Sequence, residues 1–160
     1  MVATAALQSR ELAVPASEEL VQSMHEVIRS VLRRIHPTLE AEGISKGQFW
    51  TLHLVSSLPA ASLSSVARHL SVSAPTACAD IDQLEAAGLV TRHRSQKDRR
   101  AVDIALTPRG RRVEARVWNR MGEVMKEAMR GLPAGDVAAA VRVFRELTTR
   151  LEAPEVGGSP

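Results

Sequence analysis

Ser62-Leu-Ser-Ser-Val-Ala-Arg-His-Leu70, Ser71-Val-Ser73 and Ala74-Pro-Thr-Ala-Cys-Ala-Asp-Ile-Asp-Gln-Leu-Glu-Ala-Ala87-Gly88 decide how this chain reads. Two short helical phrases joined by a three-residue turn are the signature of a helix-turn-helix unit. Local signals agree at both ends of the second helix. Ser73 suits the N-cap, Pro75 sits in the first turn, where a missing N–H is harmless, and Gly88 suits the left-handed position after the last turn. The spacing turns Ala77, Ile81 and Leu84 inward and leaves Ser73, Ala74, Thr76, Ala79, Asp80 and Gln83 facing out.

Downstream, Leu89 to Arg94 and Ala101 to Leu106 carry β-favouring residues, with Val102, Ile104 and Leu106 alternating against Asp103 and Ala105. Ser95-Gln-Lys-Asp-Arg-Arg100 between them is a polar hairpin tip. Thr107-Pro108 then opens a helix bearing Val113, Val117, Met121, Val124, Met125, Ala128 and Leu132 on one face. A last helix over 134–151 presents Val137, Val141, Phe144 and Leu151.

Upstream, Ser17 reads as the N-cap of a long amphipathic helix carrying Leu20, Val21, Met24, Val27, Ile28, Val31, Leu32, Ile35 and Leu39, with a bend expected near Pro37. A second helix opens at Ser45, where Gln48 completes a capping box, and runs through Phe49, Trp50, Leu52 and Val55 to stop before Pro59. Residues 1–16 and 152–160 read as disordered tails. The fold class expected is mainly α with a small two- or three-stranded β wing.

Composition narrows the function classes. The 160 residues, 44% of them hydrophobic, suit one domain. Aromatic content of 2%, with no tyrosine, leaves little for the base-stacking platforms of single-strand binders. Cys78 is the single cysteine, and His25, His36, His53, His69 and His93 are scattered, so neither a disulfide nor a metal site is expected. No apolar run approaches a membrane span, and the N-terminal residues lack a signal-peptide pattern, so a cytoplasmic protein is expected. Phosphate-loop, nucleophile-elbow and paired-carboxylate patterns are missing, which argues against an enzyme, and no cofactor is expected.

Net charge is only +3, but its distribution is uneven. Between Thr91 and Arg112, eight cations face two carboxylates, leaving the remainder of the chain net negative. Positive charge concentrated on a thin hairpin beside a helix-turn-helix is the pattern expected where a protein meets phosphate.

The motifs Leu63-Ser-Ser-Val-Ala-Arg-His-Leu70, Val72-Ser-Ala-Pro-Thr76, Leu84-Glu-Ala-Ala-Gly-Leu-Val90, Lys97-Asp-Arg-Arg-Ala101 and Leu106-Thr-Pro-Arg-Gly110, in that order, resemble the MarR family of winged helix-turn-helix regulators. The resemblance covers about residues 18 to 151. It implies a bacterial homodimer in which helices over 17–42 and 108–151 interlock while 45–107 forms the winged helix-turn-helix. The apolar stripes at both chain ends support dimerisation independently, since a monomer of this size would struggle to cover them. The other way to cover them is to fold back on the chain's own core.

A DNA-binding reading assigns roles residue by residue. Ser73, Ala74, Pro75, Thr76, Ala79, Asp80 and Gln83 are the base-reading candidates at the major groove. Arg92, Arg94, Lys97, Arg99 and Arg100 on the hairpin, with Ser65, Arg68 and Arg111, are candidates for backbone or minor-groove contact. Family likeness makes Arg100 the groove-inserting residue and Asp98 its partner.

One departure stands out: relatives often carry basic residues near Ala79 and Gln83, whereas this helix holds Asp80, Asp82 and Glu85. Such a helix would be repelled by phosphates unless its carboxylates face inward or pair with neighbouring arginines. The alternative is a protein-interaction module docking a basic partner. The resemblance also implies a small aromatic or anionic effector in a crevice lined by Met24, Ile28, Phe49, Trp50, His53 and Trp118, residues that equally suit plain core. Cys78 reads as a packing residue.

Overall fold

A computed structural model describes residues 14–58, 60–94 and 102–153. Among these residues nine elements follow in order: α1 (Val14–Glu42), α2 (Lys46–Ser57), β1 (Ala61–Ser62), α3 (Leu63–His69), α4 (Ala74–Ala86), β2 (Val90–Arg94), β3 (Val102–Leu106), α5 (Pro108–Ala128) and α6 (Ala134–Glu152). The fold is mostly helical with one small antiparallel sheet.

The local signals explain most element ends. Ser45 accepts the Gln48 N–H while the Gln48 side chain accepts the Ser45 N–H at 2.8 Å, so the expected capping box on α2 is present. Ser73 accepts the Thr76 N–H at 3.2 Å, and Pro75 lies in the first turn of α4. Gly88 takes φ 69° just after α4, as expected, whereas in the turn between α3 and α4 the positive φ falls on Ser71, at 53°.

α1 departs from expectation at its start. It already includes Val14 rather than being capped at Ser17, and it runs on past Pro37 to Glu42, as the sequence pattern through Leu39 required. Pro15 suits a first helical turn, so the helix starts ahead of Ser17. Residues 14–16 are therefore helical rather than part of a tail; residues 1–13 and 154–160 lie outside the described residues.

The sheet has the order β1-β3-β2. Val90 pairs with Leu106, Arg92 with Ile104 and Arg94 with Val102, while β1 adds Ala61 opposite Ile104 on the other edge of β3. Alternation sends Ile104 and Leu106 into the core.

Two compact units divide the chain, Met1–Val124 and Met125–Pro160. In the first, Ile35 and Leu39 of α1, Phe49 and Leu52 of α2, Val66 of α3, Ile81 and Leu84 of α4, and Val113 and Val117 of α5 are buried in a single core. Each such side chain contributes about 1.5–3 kcal/mol by leaving water. Leu20, Val21, Val27 and Ile28 in the N-terminal half of α1 remain exposed. In the second unit no residue of α6 is buried, and Val141, Phe144 and Leu151 stand in solvent.

Candidate nucleic-acid interface

α4 is held in place by its inward face. Ala77 and Ile81 are fully buried and Leu84 is 1% exposed, as the spacing requires. Ser73, Ala74, Pro75, Thr76 and Ala79 are all exposed on the other side. The Thr76 and Ser73 hydroxyls share a hydrogen bond of 2.7 Å at the start of the helix.

The two flanks of α4 are occupied. On one, Asp80 is half-buried over the first turn of α2; a Cβ placed on Gly47 would lie 3.7 Å from its Oδ2. Beside it, the Gln48 side-chain amide donates to Gln83 Oε1 at 2.7 Å. On the other flank, Arg92 of β2 reaches back over the helix. Its Nη2 donates to Asp82 Oδ1 at 2.5 Å and its Nη1 to Glu85 Oε2 at 2.6 Å, while its backbone N–H donates to Glu85 Oε1 at 3.2 Å.

The Asp82 hydrogen bond holds the Arg92 guanidinium above its ordinary pKa; partial burial opposes this and Glu85 reinforces it. Two of the carboxylates that made α4 look hostile to phosphate, Asp82 and Glu85, are thus paired with Arg92, and the third, Asp80, is half-buried on the α2 side. The strip between them, Ser73, Ala74, Thr76 and Ala79, carries no charge.

Several expected contacts are placed differently. Arg92, expected at phosphates, has both terminal nitrogens engaged with α4. Ser65 is the third residue of α3, where its hydroxyl accepts the Ser62 N–H at 2.8 Å and donates to the Ser62 carbonyl at 2.9 Å, so it serves the helix cap. Gln83, expected to read a base, already receives the Gln48 amide. Arg68 and Arg94 are exposed. Lys97, Asp98, Arg99 and Arg100 lie outside the described residues.

Arg111 donates to the Leu106 carbonyl at 2.8 Å. It borders a cavity of about 270 Å³ behind the strands, rimmed by His93 and Asp103 over Val55, Ala61 and Ile104. None of the residues expected to line an effector crevice borders that cavity. Phe49 is fully buried, and Met24 is half-buried on α1 with Ile28 exposed. Trp50, His53 and Trp118 do come together: His53 stacks on Trp118 with ring centroids 4.1 Å apart, and Trp50 meets the edge of the same imidazole at 6.1 Å. His53 Nδ1 lies 2.8 Å from Glu114 Oε1.

Two positioning residues escaped the sequence reading. Gln48 was visible as a capping residue but not as a partner of Gln83, because a helix-to-helix contact 35 residues away leaves no local pattern. Arg109 stood in the basic run, yet its Nη1 caps the C-terminal end of α4 by donating to the Ala87 carbonyl at 2.8 Å.

Residues 44–102, which span α2, the helix-turn-helix and the strand pair, match the model of the MarR family. That match covers a little over a third of the chain. A MarR family protein from Bacillus stearothermophilus is similar at a TM-score of 0.77, with 18% identity over 88% of this chain and 99% of that one. RV1404 from Mycobacterium tuberculosis gives a TM-score of 0.73 and 22% identity, covering 92% and 99%. A Staphylococcus aureus MarR solved in complex with salicylate and kanamycin gives 0.74 and 21%, covering 86% and 93%. The structural likeness thus extends beyond residues 44–102 to the flanking helices, and it establishes the winged helix-turn-helix fold. MarR family proteins are transcriptional regulators that bind DNA.

Proposed function

We propose that this protein is a sequence-specific double-stranded DNA-binding regulator of transcription that works as a homodimer in the bacterial cytoplasm. The observation that carries this reading is the uncharged, exposed strip of Ser73, Ala74, Thr76 and Ala79 on a capped helix beside a strand pair whose linking segment is strongly basic. Thr76 is the base-reading candidate, through its hydroxyl or against a thymine methyl. Arg68 and Arg94, together with Lys97, Arg99 and Arg100, are candidates for phosphate or minor-groove contact.

Dimerisation is supported by the exposed apolar side chains on α1 and, separately, on α6. A twofold pair of reading helices suits two half-sites about one helical turn apart on a pseudo-palindromic operator. Such a site overlapping a promoter would exclude polymerase, which favours repression. A small aromatic or anionic effector is supported by the aromatic cluster of Trp50, His53 and Trp118, and by the salicylate in the structure of the Staphylococcus aureus relative.

The acidic residues of α4 that would suit a basic protein partner are engaged with Arg92 and set over α2, which favours DNA over that alternative. Selection of bound duplexes from a random pool, followed by an ionic-strength series, tests the reading. An inverted repeat with steep salt dependence is the expected result. Failure to enrich any duplex at low salt would overturn it.

A further inference from the structure

We infer that Arg92 is a positioning residue for DNA recognition, holding the strand pair against the reading helix, and is not itself a phosphate contact. The inference rests on the proposed DNA-binding function and assigns one residue's part in it.

Glu85 grips Arg92 twice, through the main-chain N–H and through the guanidinium, so both the strand and its side chain are tied to one carboxylate. Asp82, three residues earlier on the same side of α4, takes the other terminal nitrogen. Residues three apart on a helix are neighbours, and a planar guanidinium fork spans two such oxygens as a single ammonium does not. The Arg92 side chain is 30% exposed, against 58% for Asp82 and 39% for Glu85, so the arginine is the most enclosed of the three.

Two consequences follow for binding. The Asp82–Arg92–Glu85 triad carries one net negative charge rather than two, which lessens repulsion from phosphates beside the groove. The contact also fixes where β2 lies against α4, and with it the paired strand β3. The opposite side of α4 is held by Gln48 on Gln83. α4 is therefore fixed from both flanks, with Ala79 between.

The roles separate in a cycle of variants measured on the selected duplex and on a scrambled one: Arg92→Ala, Arg92→Lys, Asp82→Asn with Glu85→Gln, and the triple variant carrying Arg92→Ala as well. If Arg92 positions, Arg92→Lys loses selectivity nearly as fully as Arg92→Ala, by about tenfold, since charge-assisted hydrogen bonds are broken in both. Adding Arg92→Ala to the carboxylate double variant then costs no further selectivity. If Arg92 touches phosphate, Arg92→Lys binds nearly as well as the parent, and Arg92→Ala weakens both duplexes alike in either background. That result overturns the inference and leaves DNA binding intact. A parent protein that selects no duplex overturns the proposed function and this assignment with it. Thermal unfolding of each variant identifies any that fail to fold; should Arg92→Ala be one, Arg92→Lys and the carboxylate pair decide.

Discussion

The imidazole of His53 lies flat on the indole of Trp118, with centroids 4.1 Å apart and planes 11° from parallel, and its Nδ1 is hydrogen-bonded to Glu114. This contact ties α2 to α5. Glu114 is only 12% exposed, so its carboxylate depends on that partner. His53→Phe keeps an aromatic ring on Trp118 but orphans Glu114, and should lower stability by about 1–3 kcal/mol. Adding Glu114→Leu removes the orphaned group and should recover most of the loss. Chemical denaturation of both variants checks this; equal stability of parent and His53→Phe would show that the hydrogen bond contributes nothing net.

Gly110 and Gly122 lie on the same helix in opposite situations. A Cβ on Gly110 would come within 2.9 Å of the Leu89 carbonyl carbon and closer still to its oxygen. That carbonyl also accepts the Thr107 N–H at 3.0 Å, and the Thr107 hydroxyl accepts the Gly110 N–H at 3.0 Å, so neither backbone can step aside freely. Gly110→Ala should cost about 3 kcal/mol or more despite better helix propensity. Gly122 has nothing within 4 Å of such a Cβ, and Gly122→Ala should stabilise by about 0.5–1 kcal/mol. Melting temperatures moving in the same direction for both variants would contradict this account.

Arg68 and Thr76 should respond differently to substitution. Arg68 is exposed on the last turn of α3, suited to phosphate. Arg68→Ala should weaken every duplex alike and reduce the salt slope by about 0.9 for each phosphate left without its cation. Thr76→Ala should leave that slope unchanged and lose about 1–3 kcal/mol of discrimination at one base pair per half-site. Binding isotherms on single-base variants of the selected duplex, repeated across salt concentrations, measure both.

Features encoded within a few residues are legible in the sequence alone. The Ser45 and Gln48 box, the Ser73 cap, Pro75 and Gly88 are each local, and each appears where its backbone requirement puts it. The inward set Ala77, Ile81 and Leu84 follows from helical period alone. What escaped depends on partners far along the chain. Arg92 resembles any cation in a basic run until β2 folds back over α4. Ser65 could offer its hydroxyl outward or to Ser62, and the cap, being three residues away, takes it. At the start of α1, Ser17 and Pro15 both signal a helix start, and the helix already includes Pro15.

Gln48 joins the local and the distant in one side chain. Its Oε1 accepts the Ser45 N–H while its amide nitrogen donates to Gln83, so it closes the α2 cap and braces the reading helix together. Gln48→Glu keeps an acceptor for Ser45 and adds a charge favourable at a helix start, but loses the donor to Gln83. Stability should therefore stay within about 0.5 kcal/mol of the parent while selectivity between duplexes falls severalfold. Gln48→Ala removes both bonds and should cost about 1 kcal/mol of stability as well. If Gln48→Glu keeps full selectivity, the amide pair does not orient α4, and the Ser45 cap alone accounts for what Gln48 does.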